Sequence, residues 1–240
     1  MLYYTGVGSR SPELSCIPVI EMLASRLEAR GFILRSGHAV GSDQAFEAGV
    51  KNLSNSEIYL PGSLRSGEQE HAGMIFPDEL GDRWLDAVEI AKKLHPYWEA
   101  PGMLSYNHYG QRAHTRNVFQ VLGKDLRTPS DLLICTALWD EYGKSVRGGT
   151  ATAVRLAKQY DIPVFNLIDG QEAIDGITKL VLDLTATPED FCKCGERRDA
   201  DYHQEFPIEA YDCPQFSLSD VLDRHKFEGP SKVVGTAQHK

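Results

Sequence analysis

GFILRSGHAVGSDQAFEAGV, residues 31–50, passes from an apolar run to a glycine turn and then to an amphipathic segment. Phe32-Ile33-Leu34-Arg35 predicts a buried strand, and Ser36-Gly37-His38-Ala39-Val40-Gly41 predicts a sharp turn in which the glycines let the backbone bend. A helix is expected to open at Ser42-Asp43. Ser42 is placed to accept a hydrogen bond from an orphan amide, and Asp43 falls where the helix dipole favours an anion. Asp43 and Glu47, four residues apart, share one helix face. Strand, glycine turn and helix N-terminus form the corner at which open α/β sheets bind ligands, anions above all. The same pattern also describes an ordinary βα loop with a solvated acidic face. The other strand ends decide between the two.

Leu2-Tyr3-Tyr4-Thr5 reads as a strand and Gly6-Val7-Gly8-Ser9-Arg10 as its turn. A helix follows from about Pro12, proline being welcome in a first turn, with Leu14, Ile17, Ile20, Leu23 and Leu27 as its apolar stripe. Glu57–Leu60 predicts a third strand, stopped by Pro61-Gly62. Thr115–Leu126 predicts a helix, and Leu132–Thr136 is a continuous apolar run of the kind buried on both faces of a parallel sheet. Gly148-Gly149-Thr150 leads into a helix ending near Tyr160. Ile162–Leu167 is the last strand and Gln171–Leu184 the last helix. This alternation predicts an α/β fold, a doubly wound parallel five-stranded sheet with right-handed crossovers.

Residues 61–115 break the rhythm. Ser63–Gly67 is loop-like, Asp82–Leu94 is amphipathic and ends before Pro96, and PGMLSYNHYGQRAHTRN is too long for a connector. The segment is expected to form a lid-like insertion beside the ligand site. The domain reading is therefore residues 1–184, carrying the insertion 61–115, followed by a C-terminal appendage, 185–240. That tail is net acidic, and its last dozen or so residues are expected to be disordered.

Hydrophobic content of 42% and charged content of 25% are those of a soluble globular chain, and no apolar run approaches a membrane span. The start lacks the charged-then-apolar layout of a signal peptide, so a cytoplasmic location is expected. Five cysteines in 240 residues argue against a disulfide framework. The net charge of −9 disfavours indiscriminate polyanion binding but allows a local basic cleft.

The turn Gly6–Arg10 lacks the third glycine of a dinucleotide fingerprint. The second strand ends in Arg35-Ser36 rather than in an acid for a ribose diol, and no GK[ST] is present. Hydride transfer on NAD and P-loop hydrolysis are thus disfavoured. Arg116, always charged, is able to fork onto a phosphate, with Asn117 beside it and Arg112 four residues earlier. Arg147-Gly148-Gly149-Thr150-Ala151-Thr152 offers bare backbone and hydroxyls at a helix start. Four such corners at one sheet edge point to a phosphate-bearing ligand. The candidate binding set is Gly8, Ser9, Arg10, Ser36, Gly37, Gly41, Arg112, Arg116, Asn117, Gly148, Gly149, Thr150 and Thr152. Cys192, Cys194, His203 and Cys213 are of the residue types that hold structural zinc, against the alternative of reduced cysteines on a loose tail. His38, His71, His95 and His108 read as packing or surface residues, and His114 earns notice from its closeness to Arg116. Trp139, on a loop beyond a strand end, is a candidate for stacking on a base.

The order GVGSR, SGHAVGSDQAFEAG, TRNVFQVLG, apolar strand and GGTATAVRLAKQYDIPVFNL resembles the Rossmann-like SLOG superfamily. Its nearest branch is the DNA-processing protein A (DprA) family with its short phage members. The matching positions are Gly8-Ser9-Arg10, Ser36-Gly37, Ala39, Gly41, Asp43, Arg116-Asn117 and Thr152-Ala153, across roughly residues 2–168. More distantly the chain resembles LOG-type phosphoribohydrolases, whose signature is PGG-x-GT-x-x-E. Here Arg147 replaces the proline and Arg155 stands where the glutamate belongs.

The leading expectation is a nucleotide-binding protein taking a nucleotide or ADP-ribose-like ligand. If it is an enzyme, Asp43 or Glu47 would serve hydrolysis of an N-glycosidic bond. The alternatives are a DprA-like single-stranded-DNA-binding recombination mediator and a protein that sequesters a nucleotide signal unchanged. A homo-oligomer is expected, and no membrane partner.

Overall fold

Alternating apolar runs and amphipathic segments fold as their periods require. The structure, a computed structural model, describes residues 1–186, with backbone alone at 105–107. The strands are β1 (Leu2–Gly8), β2 (Phe32–Ser36), β3 (Ser56–Tyr59), β4 (Met74–Ile75), β5 (Leu132–Thr136) and β6 (Val164–Asn166). The helices are α1 (Cys16–Ala29), α2 (Ser42–Gly49), α3 (Pro77–Leu80), α4 (Arg83–Leu94), α5 (Pro101–Leu122), α6 (Thr150–Gln159) and α7 (Gln171–Thr185). All strand pairs are parallel, in the order β4-β3-β2-β1-β5-β6.

The chain winds outward from β1 through β2 and β3 to β4, then returns to the other side of β1 with β5 and β6. Crossovers of one hand that run in opposite directions put helices on opposite faces. Accordingly α1 packs on α2, while α5 packs on both α4 and α6. On the α1/α2 face Tyr4 meets Phe46 edge-on, with ring centroids 6.2 Å apart. On the other face Phe119 is sandwiched between Tyr59, at 5.6 Å, and Trp84, at 5.9 Å. Full burial of one such side chain is worth roughly 1.5–3 kcal/mol.

The sheet has six strands, not the expected five. The sixth, β4, is two residues long and comes from the region read as an insertion, too short to show a period. The second difference is α5. Residues 101–115, expected to be part of a lid, continue the following helix without a break, so Arg116 and Asn117 lie well inside a 22-residue helix. Pro101 stands at its first turn, where the missing N–H costs nothing. Ser42 is the first helical residue rather than the cap, and its hydroxyl bonds Ser9 O at 2.9 Å.

Residues Met1–Ala173 form one compact unit and a second begins at Ile174. The proposed zinc ligands Cys192, Cys194, His203 and Cys213 lie outside the described residues. Among the described residues no helix is long and apolar enough to cross a membrane.

Candidate functional site

The strand order reverses beside β1, so the carboxyl ends of β1 and β5 diverge there into a crevice. Two turns are locked together at its floor. Ser9 donates its amide to Thr136 O at 2.7 Å and accepts at its carbonyl from the Ser42 amide at 3.1 Å. Ser42 and Thr136 also share a short hydroxyl–hydroxyl hydrogen bond. A Cβ on Gly8 would collide with both of those hydroxyl groups, so this approach needs glycine. Gly41, at φ +92°, lets the next turn lie against the backbone of Ser9 and Arg10.

The resulting cleft, about 680 Å³, is lined by Gly8, Ser9 and Arg10 after β1 and by Asp43 on α2. Arg116 and Asn117 of α5 and Gly148, Gly149 and Thr150 at the start of α6 complete its polar wall. Asn117 Nδ2 donates to Gly149 O at 3.0 Å and so holds the turn that opens α6. Arg116 is buried, and its Nη1 donates to Asp43 Oδ2 at 2.9 Å. Burial pushes the Asp43 carboxyl above its ordinary pKa, and the guanidinium beside it pulls the other way.

A second cleft, about 520 Å³, holds Gly37, Arg65 and Arg112, and shares Ala39 and Tyr109 with the first. The two therefore adjoin as one trough. Tyr109 stands where they meet, its hydroxyl accepting from Arg65 Nη2 at 3.2 Å. None of the ion pairs among the described residues involves Arg10, Arg65, Arg112 or Arg147. Arg10 and Arg147 are exposed at the rim of the larger cleft.

No family model and no curated protein matches this sequence. Among solved structures the chain is similar to DNA processing protein A from Helicobacter pylori, described for its unique single-stranded DNA binding mode. That likeness covers 76% of this chain and 81% of the other, at 15% identity and a TM-score of 0.41.

The remaining residues singled out from sequence take other positions. Ser36 is buried and donates to Gly6 O at 2.7 Å, bracing β1 rather than lining either cleft. Thr152 is buried against His114, Oγ1 to Nδ1 at 2.6 Å. Glu47 lines neither cleft; His38 Nδ1 lies 2.7 Å and His71 Nε2 3.4 Å from its Oε2. Trp139 also stands off the trough, its indole donating to Asp169 at 2.7 Å. Arg155, in place of the LOG-type glutamate, donates to Leu94 O at 3.1 Å. Arg35, where a ribose-binding acid would end β2, is buried in an ion pair with Glu57 at 2.7 Å.

Sequence reasoning missed Tyr109, Arg65 and the pairing of His38 with His71. Each depends on segments brought together from far apart in the chain, and no local spacing marks them.

Proposed function

We propose that the trough binds the phosphates of a short single-stranded nucleic acid and that the chain acts as a binding module. The observation that carries this reading is the row of arginines whose side chains form no ion pair along both adjoining clefts: Arg10 and Arg147 in one, Arg65 and Arg112 in the other. A ligand bearing one phosphate group engages one end of such a row; a strand engages both. Tyr109, between them, supplies a ring on which a base stacks, an interaction that tolerates any sequence. The basic trough also answers the net charge of −9, since the steering charge is local.

The placement of the two candidate catalytic acids supports binding over hydrolysis. Asp43 is 2% exposed and committed to Arg116, and Glu47, which lines neither cleft, is engaged by the imidazoles of His38 and His71. Neither is a free carboxylate facing a substrate.

A second reading, a mononucleotide or ADP-ribose-like ligand, is favoured by one feature. Arg116, Asn117 and the Gly148–Thr150 helix start converge in a single corner of the larger cleft. Length dependence separates the two. Fluorescence anisotropy with oligothymidylates of increasing length is expected to show affinity rising until both clefts are filled, and mononucleotides competing poorly. Affinity independent of length, with mononucleotides competing fully, supports the compact ligand instead.

A further inference from the structure

Glu47 Oε2 is approached from two sides by imidazoles that come from distant parts of the chain. His38 lies in the turn after β2, and His71 precedes β4. One ligating atom from each of His38, Glu47 and His71 falls within 4.8 Å of the others. The rings of His38 and His71 stand edge to face with centroids 6.0 Å apart.

Two details favour a cation among these three groups. The Nδ1 of His71 lies 2.8 Å from Ala72 O, an acceptor, so Nδ1 carries the proton and donates. In the neutral ring Nε2 then presents a lone pair, yet it faces a carboxylate oxygen at 3.4 Å. Two acceptors face one another there unless a proton or a metal ion lies between them. Furthermore, Glu47 Oε1 is buried with no hydrogen-bond partner, although such groups are ordinarily satisfied. The His71–Ala72 contact is also the kind of outer hydrogen bond that fixes a metal-ligating histidine's tautomer. The turn that carries it is fixed as well: Met74 donates its amide to His71 O at 3.2 Å, and Gly73, at φ +94°, packs against Leu53 and Ser56.

We propose that His38, Glu47 and His71 form a binding site for a divalent ion of the zinc class. Two imidazoles and one carboxylate are the donor set of zinc sites that keep a further coordination position open. The ion would be held by Nδ1 of His38, Nε2 of His71 and the Glu47 carboxylate. His38 also lines the smaller cleft, so the site adjoins the trough through that residue. This assignment does not rest on the nucleic-acid reading, because none of its three ligands is needed to contact a phosphate.

The test uses the full chain, stripped with chelator and titrated with Co²⁺ followed by visible absorption and thermal melting. The expected result is one equivalent bound without thiolate charge-transfer bands, displaced by Zn²⁺, with a rise in Tm. His71→Ala, on a partly exposed turn, is expected to weaken binding by at least about tenfold and remove the Tm rise. Glu47→Gln should do the same. Binding of Co²⁺ only with thiolate bands, which report on cysteines, would overturn the assignment. So would full affinity retained in His71→Ala.

Discussion

Arg116 on α5 and Asp43 on α2 meet across the top of the sheet, Nη1 to Oδ2 at 2.9 Å, with both side chains nearly closed to solvent. The pair ties together the helix layers on the two sheet faces at the carboxyl end of β1. Arg116→Ala leaves a buried carboxylate unpaired, which costs roughly 3–5 kcal/mol. Chemical denaturation is expected to show a loss of that size, with Asp43→Leu combined with Arg116→Met recovering much of it. A loss within about 0.5 kcal/mol for Arg116→Ala, the range of ordinary surface changes, would mean that the pair is solvated.

The same geometry makes Gly37 intolerant of a side chain. A Cβ there would overlap the Arg116 guanidinium, which is held by Asp43 and has no free direction in which to retreat. Gly37→Ala is expected to destabilise by about 1–3 kcal/mol, the usual cost of overpacking. Gly149→Ala, where a Cβ meets nothing within 4 Å, serves as the control and should melt close to wild type.

His114 gives a pH dependence of known sign. Burial, then His95, Arg116 and Arg155, lower its pKa from 6.5 to about 4. Its contribution is therefore fully present above pH 6.5 and is lost as pH falls toward 4, because the unfolded chain takes up the proton first. The loss across that window is on the order of 3 kcal/mol. His95, also lowered by burial, acts in the same direction. Tm measured against pH should fall less steeply in His114→Gln than in wild type between pH 6.5 and 4. Parallel curves would show that His114 titrates normally.

The turns after β1 and β2 and the start of α6 were legible because each announces itself locally, as apolar run, glycine and then polar helix start. Gly8 and Gly148 line the larger cleft, whereas Gly41 lines neither cleft and packs its turn against the backbone of Ser9 and Arg10. The two-residue strand β4 was not legible, because a period of two cannot be read from two residues. The α5 helix was hidden by Gly102, Gly110 and a run of aromatic and polar residues that imitates a loop, although Pro101 is a helix-start signal in hindsight. The pairing of His38 with His71 across 33 positions leaves no trace in spacing, since it is made by β4 docking beside β3.

Arg147 and Arg112 are the cleanest probes of the trough, one at each cleft and neither in an ion pair. Arg147→Ala and Arg112→Ala are each expected to leave Tm within a degree or two and to weaken oligonucleotide binding. Each should also flatten the dependence of log affinity on log salt by about 0.7, the share of one phosphate contact on a single strand. An unchanged slope in both variants would place the strand elsewhere.

The salt dependence of wild-type affinity for a single-stranded oligonucleotide tests the account most directly. With three or four arginine–phosphate contacts along the trough, log K should fall with log salt at a slope of about −2 to −3. A slope near zero, together with stabilisation by mononucleotides alone, would contradict it and leave the single corner around Arg116 as the binding site.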